Sequence, residues 1–179
     1  MNLAVRAVFN TRIISEPVKK LYIFISIIRN SLKQIDRLKE YFRIEEVKFK
    51  LPLSDCATRW NYTYFMLDRA LDIKPFLVHL KSNQKILTDN WPTDEEWEML
   101  AELANLLASF ASIIKVISAS NYPTVSETKL LFAGLKAHLD KPQNEDYILQ
   151  EQVDEMNHVF TNYFCEINEA LHILAFFDP

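Results

Sequence analysis

The chain has 179 residues, a formal net charge of −4 and 49% hydrophobic residues, with one Gly and two Cys. This apolar content is enough for one domain with a buried core, and the near absence of Gly disfavours sheets that need it at tight turns and bulges. No charge-free apolar run reaches the ~18–20 residues that span a bilayer, so we expect no membrane partner. Cys56 and Cys165 form no metal-ligand pattern and indicate free thiols in a reducing compartment.

Charge is distributed unevenly along the chain. Residues 1–60 contain 12 Lys and Arg against 6 Asp and Glu, whereas residues 61–179 contain 8 against 18. Such asymmetry suggests one side that faces nucleic acid and one that is solvated. Two ordinary charged helix surfaces would give the same numbers, so both interpretations stay open at this point.

The first part of the chain predicts one long helix. Ser15 is a plausible N-cap, with Pro17 inside the first turn. Apolar residues, Leu32 among them, then recur every three or four positions from Leu21 to Phe42, which is one face of a helix of about seven turns. Four basic residues lie largely away from that face, where they are either solvated or in contact with nucleic acid: Arg29, Lys33, Arg37 and Lys39.

Residues 47–53 have a different period. Apolar residues alternate there with Lys48, Lys50 and Pro52, which is the two-residue period of a half-buried strand. Pro52 cannot donate to a ladder, so the predicted strand lies at a sheet edge or ends there. No other segment alternates convincingly, and a strand without a partner suggests that the chain is part of a longer protein.

The remainder of the chain predicts helices joined by polar links. Residues 60–80 are expected to form a helix that Pro75 kinks or splits, and residues 81–92 a polar loop. A last long helix is expected from about Tyr147. The fold class is therefore mainly α, a helical bundle with one short β-strand. Capping boxes are predicted to open two of the helices: Thr93 with Glu96, and Thr124 with Glu127.

No catalytic or metal-binding constellation is visible. The sequence has no P-loop, no Gly-rich phosphate cradle and no His-Glu-x-x-His, and its four His residues share no ligand spacing. Asp55 follows the predicted strand, where a carboxylate either binds a metal ion or braces the turn through its oxygens. The brace is the favoured interpretation, so we predict no catalytic residue, no metal ligand and no cofactor in this chain.

The junction after the predicted strand carries the best candidate for a binding site. Arg59 beside Trp60 offers a planar cation and a large π-face, groups that bind phosphate and stack on an unpaired base. Lys48 and Lys50 on the adjoining strand would add phosphate contacts. In the alternative interpretation, Trp60 is the first core residue of its helix and Arg59 pairs with a nearby acid.

The junction reads Asp55-Cys56-Ala57-Thr58-Arg59-Trp60-Asn61-Tyr62-Thr63-Tyr64, then Met66-Leu67 and Arg69. This motif resembles the start of the helical insertion in hAT-superfamily DNA transposases, although Tyr62 stands where that family usually has a small residue. Further similar stretches follow in the same order along nearly the whole chain: Leu87-Thr88, Trp91, Glu95-Glu96-Trp97, Tyr122-Pro123-Thr124 and Asp178-Pro179.

The resemblance implies an RNase H-like core with an Asp-Asp-Glu triad, interrupted by a helical insertion. Residues 1–53 would be the end of that core, two helices and a strand, and residues 54–179 the helical insertion domain. No triad member matches a position here, so this chain alone is expected to be inactive, and Mg²⁺ is expected only for the complete family enzyme. Trp60 matches the Trp that stabilises a flipped base, with Arg59 and Asn61 beside it as DNA-binding candidates.

The implied partner is DNA and the implied location is the nucleus, with a homo-oligomer left open through regions outside this chain. We therefore expect the DNA-binding and scaffold portion of a hAT-like transposase or of a domesticated derivative. The BED-type zinc finger of the family is not found in these residues. The rival interpretations are a helical protein-interaction module that no longer binds DNA and a transposon remnant without function.

Overall fold

The computed structural model describes residues 5, 8–9, 11–55, 60–119, 125–140 and 148–175. Among these residues every regular element is helical, which confirms the mainly α prediction and removes the predicted strand. The elements are α1 (Arg12–Arg29), α2 (Leu32–Ile44), α3 (Trp60–Asp72), α4 (Lys74–Leu77), a 3₁₀ helix (Val78–Asn83), α5 (Lys85–Asp89), α6 (Asp94–Ala119), α7 (Val125–Leu139) and α8 (Gln150–Ala175).

The described residues pack into two compact units. One consists of residues 12–104, and the other of the described parts of residues 1–11 and 105–179. We refer to them as the first-helices unit (12–104) and the second unit. The predicted domain boundary between residues 53 and 54 concerns ancestry rather than packing, and it stays a prediction.

Residues 12–44 form two helices where one was predicted. α1 begins at Arg12, before the predicted cap Ser15, because this start brings Ile14 and Pro17 onto one buried face. The chain then breaks at Ser31, whose hydroxyl oxygen accepts a hydrogen bond from the Gln34 amide at 3.4 Å and so caps α2. The break shifts the helical register, so that Leu32, which was predicted to be buried, is 80% exposed.

Residues 47–53 form an extended segment rather than a strand, which corrects the sequence prediction. The Val47 amide donates to the Phe42 carbonyl at 3.0 Å, and the Phe49 ring then packs edge-on against Phe42 with centroids 5.4 Å apart. Burial does not alternate along this segment as predicted either, since Val47 is 46% exposed and Pro52 is buried. A strand also needs a neighbouring strand for its amides and carbonyls, and the described residues contain no second extended segment to supply one.

The chain after α3 follows the predicted breaks with one correction. α3 ends at Asp72 and Pro75 lies in the first turn of α4, which confirms the split. The predicted loop at 81–92 is wrong, since it holds the end of the 3₁₀ helix and all of α5. This stretch is ordered because Leu87 is fully buried, which packs the short helix α5 against the core.

The first capping box is confirmed. The Thr93 amide donates to Glu96 Oε2 at 2.8 Å, and the Glu96 amide donates to Thr93 Oγ1 at 3.2 Å. Glu96 Oε1 also accepts a bond from Lys20 Nζ at 2.6 Å, which ties the start of α6 to α1. Thr124 and Tyr147, which were predicted to mark two later helix starts, lie outside the described residues, and α8 is described from Gln150.

Aromatic rings form much of the core of the first-helices unit. Phe42 stacks on Phe76 with centroids 3.8 Å apart, and Trp91 contacts both Phe24 and Trp97 at 5.1 and 5.2 Å. By length and composition the stretch Asp94–Val116 is apolar enough to cross a membrane. The central helix of a packed bundle passes the same test.

Candidate nucleic-acid interface

Trp60 is the first described residue of α3, and its side chain is only 7% exposed. A ring that is buried to this degree presents little of its face to an external base, so the geometry fits the core alternative. Asn61 beside it is half-buried. Arg59, the predicted phosphate ligand, lies outside the described residues. The DNA-stacking role of Trp60 stays a prediction.

Asp55 acts as a brace for the start of α3. The Thr63 hydroxyl donates to Asp55 Oδ1 at 2.9 Å, so the carboxylate is joined to the second turn of the helix. Across the described residues no group of three or more His, Cys, Asp or Glu side chains is arranged to hold a metal ion. The contact agrees with the predicted bracing role, and the carboxylate is oriented toward the helix.

The extended segment at 47–53 lies antiparallel to α3. Going forward along the segment means going backward along the helix, since residue 50 is joined to residue 72, residue 51 to residue 69 and residue 55 to residue 63. Three contacts therefore hold this segment against α3 in the absence of a sheet, and we refer to them, together with the Arg29 contact described below, as the clamp. The three contacts are Lys50 Nζ to Asp72 Oδ2 at 2.8 Å, Arg69 Nη1 to the Leu51 carbonyl at 3.2 Å, and Thr63 Oγ1 to Asp55 Oδ1.

The other end of the clamp is Arg29, in the last turn of α1. Its Nη1 donates to the Pro52 carbonyl at 2.5 Å. The sequence prediction placed Arg29 on a basic, solvent-facing side, but the side chain is half-buried and serves the backbone. Nothing in the sequence indicates this partner 23 positions away, because a cation on the polar side of a helix ordinarily remains solvated.

Lys48 and Lys50, both predicted phosphate ligands, differ in their surroundings. Lys50 is in a salt bridge with Asp72 in which each side chain is 44% exposed. Lys48 is exposed, and no carboxylate among the described residues lies within salt-bridge distance of it. Of the two, Lys48 is therefore the cation that is available to an external phosphate.

α2 carries two further cations without a carboxylate partner among the described residues. Lys33 and Arg37 lie one helical turn apart, on the same face of α2. The nearby acids of the helix are already engaged, with Asp36 bound to Lys39 at 3.1 Å and Glu40 bound to Arg43 at 2.6 Å. We use the name basic set for Lys33, Arg37 and Lys48.

α3 also presents exposed aromatic side chains. Tyr62 is 41% exposed and Phe65 is 46% exposed, one turn apart on the same side of the helix. Tyr64 contacts Phe65 with ring centroids at 5.4 Å. Burial, and secondly the charge of Asp68, raises the pKa of the Tyr64 phenol above its ordinary value. The outer side of α3 is therefore partly aromatic and partly acidic.

Comparison with known proteins places this chain among transposase-related sequences. Residues 1–106 match the family model described as the ZBED1 RNase-like helical domain. The chain is 32% identical over 127 residues to a Zea mays protein named as an AC transposase, a match that covers 70% of this chain and 16% of that protein. It is 29% identical over 132 residues to the zinc finger BED domain-containing protein RICESLEEPER 2 of Oryza sativa subsp. japonica, covering 70% and 17%.

No solved structure matches the chain. The chain spans about a sixth of the length of the curated relatives that it matches, so these similarities concern one part of much longer proteins. The family match covers all of α1 to α5 and reaches into α6, and it therefore includes the clamp and the basic set. This chain belongs to the ZBED1 RNase-like helical domain family, with distant homology to hAT AC transposases and to RICESLEEPER BED zinc finger proteins.

Proposed function

We propose that this chain is the DNA-binding and scaffold portion of a hAT-like transposase or of a domesticated derivative. The observation that carries the proposal is the basic set, three cations in the family-matched region that no described carboxylate neutralises. Phosphate contacts by Lys and Arg supply most of the sequence-independent affinity for DNA. In this proposal the chain binds DNA and supports the fold of the longer protein, and it does not cleave DNA by itself.

The clamped segment gives this proposal a structural basis. A loop lysine binds phosphate better when its backbone is already ordered, because less conformational entropy is lost on binding. Arg29, Arg69 and the Lys50 salt bridge fix residues 50–52, only two positions from Lys48. We infer that this clamp orders Lys48 for DNA contact, while Lys50 serves the scaffold.

The test is a salt series of DNA-binding measurements. Fluorescence anisotropy with a labelled hairpin-ended duplex compares the original chain with the triple variant K33A/R37A/K48A. Each phosphate contact contributes a slope of about −0.9 in log affinity against log salt on duplex DNA. The triple variant is therefore expected to bind more weakly, with a slope that is shallower by about 2–3.

A matched control separates a local footprint from the loss of net charge. Lys115 is exposed on α6 in the second unit, and Lys115→Ala removes the same charge as Lys48→Ala. The proposal requires that Lys48→Ala weakens binding and flattens the slope, whereas Lys115→Ala changes neither. Equal affinity and slope for the triple variant and the original chain would contradict it.

The alternative function is a helical protein-interaction module, and the exposed aromatics of α3 favour it. Tyr62 and Phe65 form an uncovered aromatic surface beside the carboxylate of Asp68, which repels DNA phosphate. This alternative predicts that the folded chain does not bind DNA at about 100 mM salt. It also predicts that a protein partner is retained by the original chain and lost by Y62A/F65A.

Nuclear location and a Mg²⁺ requirement belong to the same proposal and concern the complete family protein. A fluorescent fusion of the full coding sequence tests the first, because cytoplasmic signal would remove access to chromosomal DNA. For the second, no described residue group holds a metal. DNA binding by this chain is therefore expected to be the same with Mg²⁺ and with EDTA, once the ionic strength is matched.

A further inference from the structure

Two stacked rings join α2 to the 3₁₀ helix. Tyr41 of α2 lies against His79 of the 3₁₀ helix, with ring centroids 4.6 Å apart and ring planes 24° from parallel. Tyr41 is half-buried, whereas His79 is exposed. The next residue of α2, Phe42, stacks on Phe76 with centroids 3.8 Å apart, which fixes α2 against the segment that carries His79. We refer to Tyr41 and His79 as the ring pair.

The His79 ring is supported by Tyr41 and accessible from outside. Among the residues that the structure describes, no second aromatic ring contacts His79. A planar ring that is held in place by the fold and open to solvent is the kind of group on which proteins stack an unpaired base. Trp60 is only 7% exposed and offers much less of its face for the same purpose.

The basic set lies next to the ring pair. Lys33, Arg37 and Tyr41 are spaced four residues apart, so they form one row along α2. Lys48 follows the turn after α2, on the other side of Tyr41 along the chain. Four residues of α-helix rise about 6 Å. A phosphate at Arg37 and a base at the ring pair can therefore belong to neighbouring nucleotides of one strand.

The turn after α2 also decides which part of a nucleotide suits the ring pair. Glu45 and Glu46 are both exposed there, between Tyr41 and Lys48. Their charges repel a phosphate that approaches this end of α2, whereas they do not repel a neutral base in the same way. The cations of the row are better placed for phosphate, and the rings for a base.

We propose that the ring pair stacks on an unpaired base of DNA whose phosphates contact the basic set. This inference rests on the proposed DNA-binding function and names the form of DNA that the surface prefers, a duplex with an unpaired end over a blunt duplex. In a blunt duplex each base is already stacked and paired, so the ring pair gains a contact only where a base is unpaired.

The test compares two labelled DNAs that have the same number of phosphates, one a blunt duplex and the other a duplex with a short unpaired end. In fluorescence anisotropy the original chain should bind the second about five- to tenfold more tightly, the lower end for a stacked base. His79→Ala should remove this preference, and His79→Phe should keep it because a ring remains. His158→Ala is the matched control, since His158 is an exposed histidine of α8 in the second unit.

Two results would overturn the proposal while leaving the basic set in place. The original chain could bind both DNAs equally well, or His79→Ala could prefer the unpaired end as strongly as His158→Ala does. If the original chain bound neither DNA, the proposed function would fail together with this inference.

A second measurement covers the case in which His79→Ala weakens binding to both DNAs through the fold. A fluorescent adenine analogue at the unpaired position is quenched when it stacks. At saturating protein the original chain and His79→Phe should quench it, and His79→Ala should not. Equal quenching by His79→Ala at saturation would contradict stacking on this ring.

Discussion

Trp60→Ala measures directly whether the α3 tryptophan is a core residue or a DNA-stacking group. A Trp side chain buries 150–250 Å², and at about 25 cal/mol per Å² that burial corresponds to roughly 4–6 kcal/mol. Trp60 is only 7% exposed, so nearly all of this contribution is present. Since truncation of large core side chains costs about 3–5 kcal/mol in practice, we expect a loss of that size.

Such a loss is a large part of the roughly 5–15 kcal/mol that stabilises an ordinary domain. In a urea series followed by circular dichroism, a slope of about 2 kcal/mol per molar converts it to a midpoint shift of about 1.5–2.5 M. Only the transition of residues 12–104 should move, because Trp60 belongs to that unit. Tyr62→Ala is the control on the same helix, with 41% exposure and an expected shift below about 0.5 M.

Suppose that Trp60→Ala has the same urea midpoint as the Tyr62→Ala control and still binds hairpin DNA more weakly than the original chain. The Trp60 ring would then be a DNA-contacting group and not a core residue. Trp60→Phe adds a second criterion. A core role predicts partial recovery of stability with Phe because most apolar area returns, whereas DNA affinity should then follow the fraction of folded chain.

Arg29→Met should destabilise residues 12–104 by about 1.5 kcal/mol, the low end for a charged hydrogen bond because Arg29 is half-buried, and should speed amide exchange at 48–55. Thr93→Ala breaks the capping box and should cost about 1 kcal/mol in urea unfolding. The pKa of Asp140 lies below its ordinary 3.8 because of the Lys136 hydrogen bond and then that of Asn157. The ionised Asp140 carboxylate therefore stabilises the folded chain above about pH 4, and this stabilisation is lost as the pH falls through the folded-state pKa. In an NMR titration, Lys136→Met should raise the pKa of Asp140 more than Asn157→Ala does.

The features that depend on nearby residues could be predicted from the sequence. The capping box at Thr93 and the break at Pro75 are decided within one helical turn, and both are present in the structure. The break at Ser31 is also local, because Ser31 caps α2 through the Gln34 amide, yet it was not predicted. The spacing of apolar residues continues across it, and only the exposure of Leu32 reveals that the register has shifted.

The features that depend on distant residues could not be predicted in this way. The pattern at 47–53 predicts a strand, but whether such a segment joins a sheet depends on a partner strand that no local pattern specifies. In this chain two guanidinium groups, from Arg29 and Arg69, take the carbonyls instead. An Arg on a polar helix face gives no sign in the sequence that it will serve a backbone 18–23 positions away.

The same contacts give the two lysines of this segment, Lys48 and Lys50, different surroundings. Lys48 and Lys50 lie only two positions apart, but of the two only Lys50 has a carboxylate partner among the residues that the structure describes. The difference is the end of α3, where Asp72 lies within reach of Lys50 and holds it at 2.8 Å. A phosphate at Lys50 would have to compete with that carboxylate, whereas a phosphate at Lys48 would not. Lys50 therefore holds the segment against α3. We expect DNA affinity to be more sensitive to the loss of Lys48 than to the loss of Lys50.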